Sequence, residues 1–540
     1  MSVTGLFEIG KSALFASQTA LSTISHNIAN VNTPGYSRQD VILQVATPVP
    51  AAGGLLGRGV TVAGIKRNYD SFVQAQLLGQ TENYGRSEAL SQFLGQIEQV
   101  FNDSMGIGLS DPLMQYFNAW NEVSSTPDSR PQRLLLLQKA GFLASVAGQM
   151  ESDINSTIKQ MDDGISTAVS RINNIAQEIS ALNGQIAQVE GGGGSDKAYD
   201  LRDRRDVLLS ELSELAENST YEEDNGSVTV TIGMRNLVNG ERVNTLSAQP
   251  NQDNNYDLML DGVNITEAVS GGKLGGMIAA REDTKATALT DLRRLIASLT
   301  KEVNLLHTTG FGLDGSTGNN FFNPLQLATT DRSAGAGITA SVSDLSQLTL
   351  DEYDITFDAA ATNYTVTDRQ TGAAVATGVY ATGTPITFEG IEVTITGTIA
   401  AGDSFAVSPL TDAIKNFGVA VTDPDKVAAS ATAAGIPGDN TVALQLAQMA
   451  AAPVSSLGGA TISGYYAEIV AEVGAKSKTA ADTLAFDESL LTSIEGRRES
   501  ISGVSLDEEA ANMLRYQRSY EAAARLITVT DELMQTILDM

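Results

Sequence analysis

Side chains able to do chemistry are scarce in this 540-residue chain, which holds two histidines, no cysteine and 64 acidic residues. His26 and His307 are far apart, and neither stands in an HExxH or other metal-ligand spacing, so surface or capping roles are expected for both. The acidic pairs Glu222–Glu223 and Asp162–Asp163 offer acid–base chemistry in principle. Sequence neighbours on a strand or helix point in different directions, however, and so make poor catalytic pairs. "GLDGSTGNN" (312–320) is turn-rich but lacks the acidic positions of a DxDxDG calcium loop. "GGGGSDK" (191–197) lacks the GxxxxGK[ST] frame of a phosphate loop. Without cysteine there is no disulfide, thiolate metal site or cysteine nucleophile. The expectation is no catalytic residue, no metal and no cofactor.

Composition narrows the partners. A formal charge of -30 repels phosphate backbones and anionic lipid, which argues against nucleic acid and against a membrane surface. No apolar run approaches the roughly 18 residues of a membrane span, and "MSVTGLFEIGKSALF" lacks the basic start and apolar core of a secretory signal. Hydrophobic residues at 42% are enough for several cores, and the length suggests roughly three or four domains.

The strongest local signal is a stop. Leu14, Leu21 and Ile28 stand seven apart with Ile24 between the last two, a narrow helical seam. "IANVNTPGYSRQ" (28–39) then ends it. In Thr33-Pro34-Gly35-Tyr36, Pro presets φ and Gly accepts a positive φ, which predicts a type II turn. After a Gly-rich stretch (Gly53 to Gly59), Asp111 and Pro112 open a helix carrying Leu113, Phe117 and Trp120, and another pattern starts near Pro131. Ile158, Met161, Ile165, Ala168, Ile172, Ile175, Ile179, Leu182, Ile186 and Val189 alternate steps of three and four, with Asn, Gln, Ser and Asp on the other faces, which predicts a long packed helix. Gly191 to Ser195 break it, and a helix with Leu201, Leu208, Leu212 and Leu215 on one side returns as an antiparallel hairpin.

From Tyr221 the period becomes two, punctuated by Asn225-Gly226, Asn239-Gly240 and Asp261-Gly262, which predicts a small β module. Helix resumes in "DTKATALTDLRRLIASLTKEVNLLH", a second β-rich stretch covers Ile338 to Val407, and the chain beyond Thr411 reads mostly helical. Near the end Ser505 can cap and Glu508 can complete a capping box. Met513, Tyr516, Tyr520, Ala523, Ile527, Thr530, Met534 and Ile537 then form a three-and-four stripe that only Thr530 interrupts. A terminal helix of about 30 residues extends roughly 45 Å and needs a partner helix, the nearest candidate being the other terminus.

The fold class expected is α+β and multidomain: terminal helices in a coiled-coil-like axial domain, a long helical bundle, and inserted β-rich outer domains. The expected divisions are 1–45 with 505–540 (axial), 46–218 with 412–504 (helical rod), 219–274 (β-rich), 275–324 (helical return) and 325–411 (β-rich outer module).

"SHNIANVNTPGYSRQDV" near the start and "SGVSLDEEAANMLRYQRSYEAAARLITVTDELM" at the end closely resemble the axial (rod and hook) proteins of the bacterial flagellum. "SGGKLGGMIAAREDT" and "EVNLLHTTGFGLDGSTGNNFF" resemble the hook-associated members of that family. The resemblance implies a structural, non-enzymatic adaptor at the junction of hook and filament, exported by the flagellar type III apparatus without a cleaved signal peptide and residing in the extracellular flagellum. Implied partners are further copies of the chain in a ring or helical array, the hook protein, the second junction protein (hook-associated protein 3), and a cytoplasmic export chaperone at the C-terminal helix. It also moves Asn30, Asn32, Pro34, Gly35 and Tyr36, together with the two terminal stripes, from mere loop and helix to assembly residues. Two rival readings are another axial protein, hook or distal rod, and a secreted binding or hydrolytic protein whose β modules recognise a carbohydrate or host ligand, with the helices serving only as a stalk.

Overall fold

Alanine, serine and threonine with few bulky side chains carry the first helix from Val3 to Ala29, and Asn30 ends it in hydrogen bonds back to the last turn. The computed structural model describes residues 3–51, 54–103, 108–191, 197–252, 255–333 and 335–539. Its helices are α1 (Val3–Ala29), α2 (Ser71–Val100), α3 (Ser110–Ser125), α4 (Arg130–Glu190), α5 (Tyr199–Leu215), α6 (Gly272–Thr284), α7 (Thr290–His307), α8 (Thr441–Gln448), α9 (Ile462–Ser502) and α10 (Leu506–Leu538). The chain forms two compact units, Met1–Leu90 with Asp162–Ala279 and Ala481–Met540, and Ser91–Met161 with Ala280–Ala480.

In the first unit β1 (Gln39–Val45), β2 (Val49–Ala51), β3 (Gly54–Leu56) and β4 (Val60–Arg67) make a two-stranded ribbon, β1 pairing with β4 and β2 with β3. Nothing in the sequence reading anticipated it. The apolar stripe lies in the C-terminal part of α4, a single helix of 61 residues. The pattern near Pro131 and the stripe are thus one element, and Gly141, Gly148 and Gly164 do not break it. Ile158 to Ile186 are buried along the stripe, while Val189 is exposed.

At the end of α4 the Glu190 carboxylate accepts two bonds from Arg202 at 2.8 Å, one from Lys197 at 2.8 Å and one from the Ala198 amide at 3.0 Å. Burial opposes its charge, but these donors outweigh burial and hold the carboxyl down to about 2. Arg171 bonds Glu211 through two nitrogens at 2.5 and 2.7 Å further along, so α5 runs back antiparallel to α4. Most of the glycine run that breaks the helix, residues 192–196, lies outside the described residues.

The polar positions of α4 do more than face water. Asn183, fully buried, bonds the Val228 and Gly240 carbonyls and the Val228 amide. Asn173 bonds both the amide and the carbonyl of Leu246, Ser180 bonds the Glu241 carbonyl, and Asp162 accepts from the Tyr256 amide. These side chains fasten a four-stranded sheet, β5 (Ser219–Glu222), β6 (Val228–Ile232), β7 (Arg235–Asn239) and β8 (Arg242–Val243), and a three-stranded one, β9 (Leu246–Pro250), β10 (Tyr256–Leu260) and β11 (Val263–Asn264).

The second unit packs Tyr116 and Trp120 of α3 against Phe321 and Phe322, with Phe322 on Phe417 at 4.6 Å between ring centres. Its β module comprises β12 (Ala328–Asp331), β13 (Ala336–Val342), β14 (Tyr353–Phe357), β15 (Asn363–Asp368), β16 (Ala374–Val379), β17 (Ile386–Phe388), β18 (Ile391–Gly397) and β19 (Ser404–Ser408). They form antiparallel sheets in the orders β12-β19-β14-β15-β16 and β13-β18-β17 around Tyr353, Ile355, Ile391, Val393 and Phe405. The stretch after Thr411 is not helical until Thr441, because Gly418, Pro424, Gly435, Pro437 and Gly438 punctuate it into turns and short 3-10 segments.

His307 is neither a surface residue nor a cap. It is buried, its Nδ1 lies 2.7 Å from the Asn319 carbonyl, and its Nε2 accepts from the Ala428 amide at 2.9 Å, which fixes a neutral tautomer. Burial lowers its pKa to about 4, against the opposing Asn319 bond. The unfolded chain therefore takes up this proton first as pH falls. Stability from this site is whole above about 6.5 and is lost between there and about 4, up to about 3 kcal/mol. His307→Gln is expected to flatten that part of the pH dependence, measured by denaturant unfolding at pH 7.5 and 4.5; an unchanged slope would show that His307 does not titrate this way.

Candidate assembly interface

The two chain ends meet as helices. α1 and α10 pack antiparallel, with Gly10 against Ile527 and Asn27 against Glu509. The face that α1 buries is not the Leu14–Leu21–Ile28 row, whose members are only half-buried. Of the predicted seam Ile24 alone is buried, and it lies among mainly small buried residues, Gly10, Ser17, Ala20 and Asn27. Close approach explains this choice, since a Cβ built on Gly10 would lie 2.9 Å from Ile527 Cγ1 and 3.7 Å from the Ala523 carbonyl. On α10 Ala523 and Thr530 are buried, Met513, Tyr516, Ile527 and Met534 are half-buried, and Tyr520 and Ile537 are exposed. Thr530, read as an interruption, is among the most deeply buried residues of the helix, which its hydroxyl tolerates by donating to the Leu526 carbonyl at 2.6 Å.

The stop signal builds a knot beside this pair. Gly35 has φ +77°, and the Tyr36 amide donates to the Thr33 carbonyl at 3.2 Å, the geometry of a type II turn. The turn is pressed against α5: a Cβ on Gly35 would fall 2.1 Å from Val207 Cγ2. Asn30 accepts from the Thr33 hydroxyl, while Asn32 and Pro34 are exposed.

Tyr36 donates to Asn27 Oδ1 at 2.8 Å, and Asn27 is the centre of the knot. Its Oδ1 also accepts from the Gln39 amide at 3.0 Å, and its Nδ2 donates to the Gln39 carbonyl at 2.9 Å and to Glu509 at 3.3 Å. Burial, then Asp200, Asp203 and Glu509, push the Tyr36 hydroxyl far above its ordinary range, so it remains a donor. His26 stacks edge-on to Tyr36 and lies 3.3 Å from Asp200, a partly exposed flank rather than a ligand site.

Arg38 ties the knot to the first turn of α10. Its Nη1 donates to Glu508 at 2.9 Å, and its Nε stands 2.7 Å from the buried Glu509 carboxylate, off the line of its N–H bond. Burial works against this charge, but Asp40, Glu509 and Glu508 hold the guanidinium above its ordinary pKa. Ser505 caps α10 by accepting from the Glu508 amide. The capping box is only half made, because the Glu508 carboxylate is committed to Arg38. Beneath the turn Asp203 accepts from the Ser37 amide at 3.0 Å and pairs with Arg67 at 2.7 Å.

Asn27, Arg38 and Glu509 were not among the residues singled out from the sequence. The available signal was an asparagine in the last turn of a helix, followed by an arginine just past a turn and an acidic triplet opening the final helix. Among the described residues no cluster of three or more histidine or acidic side chains could hold a metal, and no helix is long and apolar enough to cross a membrane.

Comparison with known proteins gives this geometry a context. Residues 94–322 match the family model described as flagellar hook-associated protein FlgK helical domain, and 327–409 the one described as flagellar hook-associated protein 1, D2-like domain. The ends match two further models, flagella basal body rod protein at 7–36 and flagellar basal body rod FlgEFG protein C-terminal at 498–540. The flagellar hook-associated protein 1 of Escherichia coli is 29% identical over alignments covering 100% of both chains. Along its whole length the chain is similar to flagellar hook-associated protein 1. The flagellar hook-associated protein 1 of Bacillus subtilis is 25% identical over 98% of this chain and 97% of its own. The fold is also similar to that of a solved structure, the flagellar hook junction protein FlgK from Burkholderia pseudomallei, which is 20% identical and superposes with a TM-score of 0.68, the match covering 79% of this chain and 100% of that one.

The knot makes a measurable claim. Asn27→Ala strands the Gln39 amide and carbonyl and the Tyr36 hydroxyl, and is expected to speed exchange of the Gln39 amide about 30-fold, equivalent to ~2 kcal/mol. Asn32→Ala, at an exposed position, should leave that amide within about 0.5 kcal/mol. Equal effects would deny Asn27 its place at the centre.

Proposed function

We propose that this chain is a structural junction adaptor of the bacterial flagellum, joining hook to filament and required for filament assembly. The observation that carries the reading is the pairing of the two chain ends, α1 on α10, locked by Arg38 and Asn27 onto Glu508 and Glu509. That pair satisfies its inner face within one chain and still presents Phe7, Phe15, Leu514, Val529, Leu533, Ile537 and Leu538 outward. Scattered exposed apolar residues are ordinary, but concentration on two helices calls for further helices around them.

Copies of the chain packed side by side would cover these residues in a head-to-tail array, with heterologous contacts that continue into hook on one side and the second junction protein on the other. The role is mechanical and needs no catalytic group. Before export the same apolar residues of α10 require cover, for which a cytoplasmic chaperone that takes a helix in a groove is suited. On this reading the chain then passes unfolded through the flagellar type III apparatus into the extracellular flagellum.

Deleting Met1–Asn30 or Leu506–Met540 is expected to leave a null strain without filaments, seen by negative-stain microscopy, while the helical core and β module of the second unit melt unchanged. Filaments restored by either deletion would remove the axial role and leave a binding module on a stalk. Gly10→Leu and Ile527→Asp probe the same pair more finely: the first wedges α1 off α10, the second sets a charge at the contact. Both are expected to abolish filaments, and Ile527→Asp also to lose the export chaperone in a pull-down. Normal chaperone capture and normal filaments with Ile527→Asp would mean that this face of α10 is ordinary solvent-facing helix.

A further inference from the structure

We infer that the outer end of the β-ribbon of one copy docks into a groove at the inner end of the ribbon of a neighbouring copy, an inference that rests on the axial reading above. The groove has a volume of about 670 Å³ and is walled by Phe15 of α1, Val62 and Ile65 of β4, Val189 at the end of α4, and Tyr199 at the start of α5. Three of these side chains are large, apolar and uncovered: Phe15 is 62% exposed, Val189 46% and Ile65 38%. Val189 is the last member of the α4 stripe, and the other nine are buried. The stripe thus continues to a position that the described residues of this chain leave half uncovered.

The matching surface lies on the same ribbon. Val45 is 79% exposed, Leu55 72% and Val49 45%, all near the outer end. A two-stranded ribbon is marginal alone, and β1 and β4 each pair with no strand but the other among the described residues. The ribbon cannot satisfy its own groove. The β1–β4 ladder sets Ile65 opposite Val41, four residues or roughly 13 Å at about 3.3 Å per residue from Val45 at the outer end, and β2 and β3 lie beyond Val45. The cover must come from a second chain.

Charge favours the same pairing. Arg58 is exposed beside the outer end; at the groove Asp200, its side chain 62% exposed, accepts from Gln39 and can take a further donor, while the neighbouring Lys197 is neutralised by Glu190. Outer end and groove are different patches, so the contact is heterologous and propagates from copy to copy. It is also continuous with the terminal pair, since α1 turns Gly10 and its row to α10 and Phe15 to the groove.

The cysteine-free chain permits a direct test. Leu55→Cys and Val189→Cys copies are co-expressed in a null strain and oxidised in intact flagella. The expected result is at least about ten-fold more disulfide-linked dimer than from Leu55→Cys with Met234→Cys, a cysteine in the β6–β7 turn at a position more exposed than Val189. Val45→Cys with Phe15→Cys is the second pair and should behave alike. Filaments with no dimer above the control from either pair overturn the ribbon contact and leave the axial role standing. Cross-linking of Val189→Cys to Leu538→Cys in place of Leu55→Cys assigns the groove to the C-terminal helix and overturns it too. Absence of filaments from a null strain carrying the unsubstituted chain overturns the axial reading, and the contact falls with it.

Discussion

Two helices from opposite ends of a long chain can approach closely only where one of them has almost no side chain. Gly10 supplies that place, with Ile527 on the other helix filling the space a Cβ would take. Ser17 and Ala20 extend the close contact along α1. The chain between the two ends closes a loop of about five hundred residues, yet loop-closure entropy grows only with the logarithm of length. A continuous contact along two helices can meet that cost where a single bulky anchor could not. Everything that follows Ala29, the turn, the ribbon and the start of α5, is placed relative to this pair.

Apolar contact between small residues is weakly directional, and the register of α10 on α1 needs another source. Glu509 provides it. Its carboxylate is buried on α10 and is reached by Asn27 from α1 and by Arg38 from the segment after the turn. A slip of one helical turn, about 5.4 Å, would leave that charge buried without either partner, a state several kcal/mol less stable. The pair adds little by attraction alone, because desolvation of both ions offsets it. Its effect is selective, making one alignment tolerable and its neighbours not. The turn belongs to the same device, since Gly35 must be bare for the chain to lie against Val207 and bring Tyr36 and Arg38 to the knot.

Period and punctuation were readable where a local pattern decides the structure. The stripe from Ile158 to Ile186, the turn at Thr33–Tyr36 and the switch to strands after Tyr221 all follow from neighbours within a few residues. The knot was not readable, because Asn27 finds its partners at Tyr36, Gln39 and Glu509, and an asparagine on a helix looks like a wet face until those partners are placed. Thr530 misled for a related reason: its hydroxyl is satisfied by its own helix, so a polar residue sits in an apolar seam. The ribbon was missed because Gly53 to Gly59 read as a loop, although "DVILQV" and "VTVAGIKR" on either side alternate weakly. Ile42, Leu43 and Val45 of β1 are all exposed, so the usual inward pattern of a strand is absent there.

The polar side of α4 carries a further consequence. Asn173, Ser180 and Asn183 hold the first β module by its backbone amides and carbonyls at Val228, Gly240, Glu241 and Leu246. Bonds to backbone do not depend on which side chains the strands carry, so the outward residues of the sheet can change without loosening the attachment. The same separation applies at the chain ends, where small residues and one buried carboxylate set the alignment and leave the outer positions of α1 and α10 free. A fold organised in this way keeps its frame while its surfaces are free to diverge.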